Sequence, residues 1–370
     1  MGSTGYGDLR SQVIESGLCV RCGGCAASCP EEVLVYGDGG IELSGECVNC
    51  GTCLRICPGR KIDFSGHEIR LFGRSRKRPI GRRLGLLRTR VNLRASDRAV
   101  LKAGYNGGRI GAILIHAIGK GLIDSALMTD WSGGKTLSVG RAEIARSRED
   151  VLRLTSTKYV HSPVLTLLKD ITQDPSIEST ALIGLPCHIS AFRNMENDPV
   201  ASRFTGKVRY ALGLHCGNGI LIEEDFRRVV SQMTGIPPDD IREFRAWKVK
   251  GNLVRFRVTR SDGHIVESDH KSVIYMKNIM KSRTWPPCSM CIDYAADLAD
   301  VSFGWPQTRS EKGEELLRTA LREGSLKKGT RKRMLAQIGL DLVGSGRKRR
   351  SSRREIGRRK REALPYPEYL

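Results

Sequence analysis

Twelve cysteines constrain this 370-residue chain more than any other feature, because they divide into three groups of four with none left over. Two runs share the spacing Cys-x2-Cys-x2-Cys-x3-Cys-Pro, and they begin at Cys19 and Cys47. The remaining four are Cys187, Cys216, Cys288 and Cys291. Four thiolates are the complete ligand set of one [4Fe–4S] cluster. The sequence therefore predicts three such clusters, which together would form a path for single electrons.

The spacing of the two runs is that of bacterial two-cluster ferredoxins, in which the fourth cysteine of each run binds the other cluster. This pattern predicts cluster set 1 as Cys19, Cys22, Cys25 and Cys57. Cluster set 2 is then Cys29, Cys47, Cys50 and Cys53. Zinc sites favour two Cys-x2-Cys pairs, and disulfides need an oxidising compartment, so both alternatives fit these runs poorly.

The four remaining cysteines form cluster set 3, and the pattern around them indicates a sheet edge. Apolar runs at residues 181–187 and 209–216 each end at a cysteine, with a helical pattern at 189–195 between them. A strand–helix–strand unit normally gives adjacent parallel strands, whose carboxyl ends are where ligands bind in open α/β sheets. Cys288 and Cys291 would complete the set. The alternative is two packing cysteines and a separate zinc-type pair.

Two other patterns describe the body of the chain. Gly107 and Gly108 precede a helical pattern at 110–118, and a helix that begins after glycines offers N–H groups to a phosphate. Two strand patterns flank residues 261–264, Ser-Asp-Gly-His, which is a hairpin signal. The body is therefore expected to be mixed α/β.

The net charge of +22 is concentrated in two segments. Residues 70–98 hold eleven Lys or Arg against one acid, and residues 347–361 hold ten against one. Such segments could contact an anionic membrane face or an acidic partner, or the second could be a solvated, partly disordered tail. The tail has no interleaved aromatic residues, which argues against nucleic acid as a ligand.

We expect a cytoplasmic protein, which could contact the cytoplasmic face of the membrane only peripherally. No apolar N-terminal stretch precedes Cys19, and the longest apolar run, at 110–118, is too short to cross a bilayer.

Five motifs occur in one order along the body. They are Asn106-Gly107-Gly108, Ser156-Thr157-Lys158-Tyr159 with Ser162-Pro163, Gly184-Leu185-Pro186-Cys187-His188, Leu214-His215-Cys216, and Pro287-Cys288-x2-Cys291. In this order they resemble the family of coenzyme F420 hydrogenase/dehydrogenase beta subunits over residues 99–330. With a ferredoxin-like module in front, the layout is most similar to the F420-oxidising input subunits of archaeal F420H2 dehydrogenases.

The resemblance implies FAD in the body, one [4Fe–4S] cluster on cluster set 3, and reduced coenzyme F420 as the hydride donor. A flavin converts between two-electron and one-electron transfer, so the implied activity delivers single electrons to a redox complex. Hydride transfer requires no catalytic acid or base, and none is assigned. The implied cofactor contacts are Asn106, Gly107, Gly108, Ser156, Thr157, Lys158, Tyr159, Ser162, Gly184, Pro186 and His188.

We therefore predict an α+β or mixed α/β chain in four segments. These are a two-cluster ferredoxin-like module at 1–64, a basic linker at 65–98, a flavin- and cluster-binding body at 99–330, and a basic tail at 331–370. His188 and His215 flank cluster cysteines, and they could tune a cluster or simply be satisfied core histidines.

Other interpretations of the sequence remain open. The chain could be the beta subunit of an F420-reducing hydrogenase or formate dehydrogenase, or a ferredoxin-dependent flavin reductase of the same family. A nucleic-acid-binding iron–sulfur protein, which would bind no flavin, belongs to a different class.

Overall fold

The computed structural model describes residues 4–37, 39–76, 81–104, 107–131, 139–156, 158, 160–217, 219–248, 253–271, 283–304, 306–329 and 331–370. Helices and strands are interspersed through these residues, which confirms the predicted mixed α/β class. Among them, no helix combines the length and the apolar content that crossing a bilayer requires.

The N-terminal module is built from two similar cysteine-bearing turns. Its elements in chain order are Tyr6–Leu9, the π-helical turn Arg10–Ile14, Gly24–Ala27, Leu34–Gly37, Gly40–Leu43, Thr52–Arg55, Lys61–Ile62 and Phe64–Phe72. The two short helices Gly24–Ala27 and Thr52–Arg55 each follow a glycine with positive φ, 81° at Gly23 and 71° at Gly51. Because other residues rarely adopt this conformation, glycine lets each cysteine run turn sharply into its helix.

A seven-stranded sheet forms the centre of the body. Its strands in spatial order are Thr89–Arg90, Gln307–Thr308, Val301–Phe303, Val208–Leu214, Thr180–Gly184, Ser125–Trp131 and Gly140–Ala145. The four strands from Val301–Phe303 to Ser125–Trp131 are parallel, and the outer pairings are antiparallel. Thr180–Gly184 is buried along its whole length, as expected for a parallel strand that is covered on both faces.

The predicted strand–helix–strand unit is confirmed. Helix Pro186–Asn197 follows Thr180–Gly184, and the chain returns as Val208–Leu214, which pairs in parallel with the first strand. The helix begins earlier than the pattern at 189–195 indicates. Pro186 occupies its first turn, where the missing N–H of proline costs no intrahelical hydrogen bond.

Helices cover both faces of the sheet. The α-helices of the body are Gly81–Leu84, Arg98–Ala103, Arg109–Gly119, Arg148–Leu154, Leu167–Gln173, Pro186–Asn197, Glu223–Thr234, Pro286–Met290 and Glu311–Arg322. The 3-10 helices are Val164–Thr166, Ala201–Phe204 and Pro238–Asp240. One core contains Ile56, Ile62 and Phe64 of the N-terminal module together with Phe192 and Met195. The module is therefore packed on one face of the sheet.

Two smaller sheets complete the body. Ile241–Lys248, Leu253–Arg260 and Ile265–Lys271 form an antiparallel sheet, and the last two confirm the predicted hairpin. Phe226 of helix Glu223–Thr234 packs edge-on against Phe244, with ring centroids 5.5 Å apart. Elsewhere, Leu93–Ala95 pairs with Leu326–Lys328.

The basic tail is a helix, Arg331–Arg361, which we call the C-terminal helix. Within residues 338–361 of this helix, the buried side chains recur at helical spacing and are polar, namely Asp341, Ser345, Lys348 and Ser352. After the helix, Glu368–Tyr369 pairs in parallel with Lys61–Ile62 of the N-terminal module. The charge pattern left a solvated tail open, and the structure instead packs this segment against both the body and the module.

Much of the basic linker is used in ion pairs within the chain. Arg76 is nearly buried and contacts the buried carboxylates of Glu68 and Asp297, the latter at 2.6 Å. Arg70 pairs with Glu196 at 2.6 Å near the surface. Burial opposes the charged form of Arg76, but the two carboxylates outweigh it and raise its pKa. The ion pairs with Asp297 and Glu196 connect the linker to the body.

We expect the substitution Arg76→Gln to lower the free energy of unfolding by roughly 3 kcal/mol, because it leaves the buried carboxylate of Glu68 without its counter-charge. Thermal unfolding of the anaerobic protein measures the effect. Arg70→Gln is the matched control, since Arg70 is 37% exposed and its ion pair is weakened by solvent. Equal melting temperatures for the two variants would contradict the structural role of Arg76.

Candidate cluster-binding and flavin-binding site

Cluster set 1 lies around one apolar cavity. All four of its cysteines line this cavity together with Leu9, Val13 and Ile56. Cys57 comes from the second run, yet its thiol has Cys22 and Cys19 as electrostatic neighbours. The structure thus brings together the four residues that the spacing assigns to one cluster, including the ligand from the other run.

Cluster set 2 lies around a second cavity. Its four cysteines line this space with Val33, Leu34 and Val48. Burial raises the pKa of Cys53 to about 11, with Cys50, Cys47 and Cys29 adding to the effect. Cys50 is exposed, so this is the cysteine set that reaches the surface of the module.

Cluster set 3 is assembled from three parts of the body. Cys187 is the second residue of helix Pro186–Asn197, where the helix dipole favours a thiolate. Cys216 follows strand Val208–Leu214, and Cys288 lies in helix Pro286–Met290 with Cys291 just after it. Burial raises the pKa of Cys187, and Cys291, Cys288 and Cys216 raise it further. The four leftover cysteines of the sequence are therefore neighbours in space.

Cluster set 1 lies next to both other sets. The electrostatic influence of Cys22 in set 1 reaches Cys187 in set 3. The influence of Cys53 in set 2 reaches Cys25 in set 1. Set 1 therefore has both other sets as neighbours, and set 2 includes the exposed Cys50.

The surroundings of these thiols fit iron–sulfur ligation. Burial raises the pKa of Cys22 and of Cys288 to about 12, so each thiol resists ionisation in its pocket. A coordinated cation supplies the positive charge that makes such a thiol a thiolate ligand. All twelve cysteines are free of disulfides. Among the described residues, no three His, Cys, Asp or Glu are grouped closely enough to hold a single metal ion.

The glycine turn that precedes helix Arg109–Gly119 has a packing role in addition to any contact with a cofactor. Gly107 and Gly108 have φ of 85° and 64°. A Cβ on Gly108 would lie 2.6 Å from the carbonyl oxygen of Val100, so glycine is required here by the close approach of two backbone segments. The predicted contact Asn106 lies outside the described residues.

The segment from Ser156 to Ser162 places two unpartnered hydroxyl groups in the interior. The Oγ atoms of Ser156 and Ser162 are buried and have no hydrogen-bond partner within the described structure. Lys158 donates to the carbonyl of Leu154 at 2.6 Å, and burial lowers its pKa to about 8. Lys158 is therefore half-buried and hydrogen-bonded to the backbone of its own segment. Thr157 and Tyr159 lie outside the described residues.

Gly184, Pro186 and His188 surround the first turn of helix Pro186–Asn197. A Cβ on Gly184 would lie 2.7 Å from Cβ of His188, which explains the glycine. The N–H of Leu185 donates to Nδ1 of His188 at 3.3 Å, so Nε2 carries the ring proton, and that atom is buried without a partner. Burial lowers the pKa of His188 to about 4 and keeps the ring neutral.

Sequence reasoning missed His161, which lies inside the Ser156–Pro163 motif. Its Nε2 is also buried without a partner, and His188 is one of its electrostatic neighbours. Its ring packs edge-on against Trp285, whose Nε1 donates to the carbonyl of Cys19 at 2.8 Å. His215, the other histidine beside a cluster cysteine, also has two ring nitrogens without hydrogen-bond partners in the described structure. These three rings are therefore not core histidines with all of their hydrogen bonds satisfied.

These unpartnered atoms fit a polar cofactor. The buried Oγ of Ser162 and the Nε2 atoms of His161 and His188 each require a hydrogen-bond partner, because an unmatched buried polar group costs about 1–3 kcal/mol. A flavin carries ring and phosphate oxygens and nitrogens that could supply such partners. The set therefore fits FAD by its chemistry.

The C-terminal helix contributes to cluster set 3, which the sequence did not indicate. Nζ of Lys348 donates to the carbonyls of Cys216 at 2.7 Å and Asp293 at 2.8 Å. Oγ of Ser352 donates to the carbonyl of Cys291 at 2.6 Å. Burial disfavours the charged form of Lys348, but Cys291 and its neighbours outweigh burial and raise the pKa of the ammonium group.

Three family models match the chain. Residues 91–169 match the model for the N-terminal part of coenzyme F420 hydrogenase/dehydrogenase beta subunits, and residues 177–333 match the model for the C-terminal part of the same subunits. Residues 18–62 match a 4Fe-4S dicluster domain. The C-terminal helix lies almost wholly beyond the matched ranges.

The chain is similar to several archaeal proteins. It is 29% identical to the beta subunit of the coenzyme F420 hydrogenase of Methanococcus voltae, over 76% of this chain and 99% of that protein. It is 26% identical to the F subunit of the F(420)H(2) dehydrogenase of Methanosarcina mazei, over 54% of this chain and 51% of that protein. A chain in a structure of the F420-reducing [NiFe] hydrogenase complex from Methanosarcina barkeri shares the fold, with a TM-score of 0.61 at 23% identity, covering 77% of this chain and 95% of that one.

We expect stability to fall as the pH drops below about 6.5, because burial lowers the pKa of His161 to about 3 and the unfolded chain binds the proton first. Such a histidine contributes a slope of up to about 1.4 kcal/mol per pH unit, which continues until the folded-state pKa is reached. Denaturant unfolding of the anaerobic protein between pH 5.5 and 7.5 should give a shallower slope for His161→Gln. His264→Gln, in the exposed hairpin turn, should keep the wild-type slope; equal slopes for all three proteins would refute this account.

Proposed function

Because the chain belongs to the family of coenzyme F420 hydrogenase/dehydrogenase beta subunits and carries a 4Fe-4S dicluster domain, we propose that it oxidises reduced coenzyme F420. In this proposal the electrons reach FAD as a hydride and leave one at a time through three [4Fe–4S] clusters to a partner complex. The observation that carries the proposal is the adjacency of the three cysteine sets, because set 1 neighbours both others and set 2 includes the exposed Cys50.

FAD is the proposed resident cofactor of the body. When bound, it supplies the conversion between hydride transfer and single-electron transfer. Ser156, Ser162 and His188 would hold it, with the Gly107–Gly108 turn at the start of helix Arg109–Gly119 as a further contact. The neutral ring of His188 offers an N–H donor at neutral pH, since burial holds its pKa near 4. As hydrogen-bonding groups, these side chains would orient the cofactor.

Hydrogen bonds connect the N-terminal module to the body in the region between set 3 and set 1. The backbone N–H of Leu165 donates to the carbonyl of Cys22 at 3.1 Å. Trp285, three residues before Cys288, donates to the carbonyl of Cys19. Asn194 of helix Pro186–Asn197 donates to the carbonyl of Ile56, beside Cys57. Such contacts would keep the distance between neighbouring electron carriers constant.

The partner would receive electrons at cluster set 2. Cys50 and Val48 are exposed there, whereas the cysteines of set 1 and set 3 are buried or half-buried. The named relatives are subunits of hydrogenase and dehydrogenase systems, which supports a redox complex as the acceptor.

A second candidate is the beta subunit of an F420-reducing hydrogenase. The observation that favours it is coverage, because the hydrogenase protein of Methanococcus voltae is matched over 99% of its length and the dehydrogenase protein of Methanosarcina mazei over 51%. The two candidates share the F420 reaction and differ in the partner that is bound at cluster set 2. Identification of the proteins that co-purify with the native chain separates them.

Double substitutions test the crossed assignment of cluster sets 1 and 2. Cys19→Ser with Cys57→Ser should cost one cluster, about a third of the iron, because both residues bind the same cluster. Cys47→Ser with Cys57→Ser should cost about two thirds, since those residues belong to different clusters. Iron analysis and EPR spectra of the reduced, reconstituted proteins measure the loss. The reverse pattern would mean that each run binds its own cluster.

Anaerobic turnover tests the reaction itself. Reduced coenzyme F420 is added with a viologen acceptor, and we expect the absorbance of the oxidised deazaflavin to appear only when the protein holds FAD. The FAD-free protein with its clusters intact is the control. A fully loaded protein without turnover would exclude F420 as the donor, and failure to bind any flavin would exclude the flavin-dependent reaction.

A further inference from the structure

Lys348 is a buried ammonium group that reaches cluster set 3 from the C-terminal helix. The residue is 8% exposed, and its Nζ donates to the carbonyls of Cys216 and Asp293 at 2.7 and 2.8 Å. Cys216 is a member of set 3, and Asp293 is two residues beyond Cys291, another member. The lysine therefore contacts the backbone on two sides of the same cysteine set.

The charge of Lys348 lies beside this set and is not paired with either of the two nearest buried acids. The Asp293 carboxylate accepts from the backbone N–H groups of Ala295 and Asp297, so the lysine reaches the carbonyl of that residue and not its side chain. The nearby Asp297 carboxylate is shared by Arg76, Arg309 and Arg349. Neither acid forms an ion pair with Lys348 in the described structure, and the thiols of set 3 contribute more than Asp293 to stabilising the charged form of the lysine.

Ser352 is one helical turn further along the same face. Its Oγ donates to the carbonyl of Cys291 at 2.6 Å. Lys348 and Ser352 thus attach the C-terminal helix to the backbone of two cysteines in set 3. Only Lys348 adds a charge, so the mechanical and electrostatic effects of the helix can be separated by substitution.

We infer that Lys348 is a positioning residue that raises the reduction potential of the cluster held by cluster set 3. A [4Fe–4S] cluster gains one negative charge on reduction, and a nearby positive charge in a low-dielectric interior stabilises that form. Hydrogen bonds and charges around the ligands are among the ways in which a protein sets such potentials. The inference rests on the proposed function only in requiring a cluster on set 3.

The consequence is that the cluster on set 3 is favoured as the first acceptor of a single electron. With a raised potential, the cluster on set 3 withdraws an electron from a donor in the body more readily. The residue responsible lies beyond residue 333, where the match to the family model ends. We therefore expect this tuning to depend on the C-terminal helix.

The test is a potentiometric titration followed by EPR, with the set 3 signal identified as the one absent from Cys216→Ser. Lys348→Met should lower the midpoint potential of this signal by about 59 mV or more, which is a tenfold change in the one-electron equilibrium constant. Lys348→Arg should stay close to the wild type. Arg347→Met removes the same charge from the adjacent, exposed position of the helix and should shift the potential far less.

Ser352→Ala separates attachment from charge, because it removes a contact with Cys291 and should lower the melting temperature without moving the potential. An unchanged potential in Lys348→Met, or an equal shift in Arg347→Met, overturns the inference. If Lys348→Met loses iron, Lys348→Gln takes its place, and a wild-type potential there overturns the inference equally. The titration needs no F420: a wild-type protein without a set 3 signal refutes the proposed function, whereas an unshifted signal refutes only the role of Lys348.

Discussion

A thiol that is removed from water resists ionisation. The rest of this structure depends on that constraint, because its cysteines are buried where they can serve as ligands. Burial raises the pKa of Cys22, Cys53 and Cys288 to between about 11 and about 12. Apolar side chains such as Leu9 and Val13 exclude water from these pockets. Positive charge must then come from iron or from the protein, and the protein supplies part of it through Lys348 beside set 3.

The same requirement for counter-charge explains where many of the basic residues lie. Asp297 is fully buried and contacts Arg76 of the linker, Arg309 just after strand Gln307–Thr308, and Arg349 of the C-terminal helix. Three distant parts of the chain therefore meet at one carboxylate. The composition suggests two basic surface segments, but some of their arginines are partners of buried acids. An arginine in such a buried network has little charge left for an external ligand.

Several features were predictable because they depend on local spacing. The distances between cysteines in each run determine which thiols a tight turn can bring together, and the structure places Cys57 with Cys19 and Cys22 as that spacing requires. The apolar runs that end near Cys187 and Cys216 predicted adjacent parallel strands, which the register confirms. The C-terminal helix was not predictable in the same way. Its buried face, which includes Ser345, Lys348 and Ser352, has no apolar periodicity to distinguish it from a solvated basic tail.

The sequence by itself determined the number of cysteine sets, the mixed α/β class and the family, since spacing, periodicity and motif order are properties of neighbouring residues. Only the tertiary structure decided which sets are neighbours and which residues surround them. Cys22 and Cys187 are 165 positions apart in the chain, and Lys348 and Cys216 are 132 apart. Contacts over such separations arise from packing of the module, the sheet and the last helix. No local pattern records which basic residues of this helix face inward, because that depends on the surface against which the helix packs.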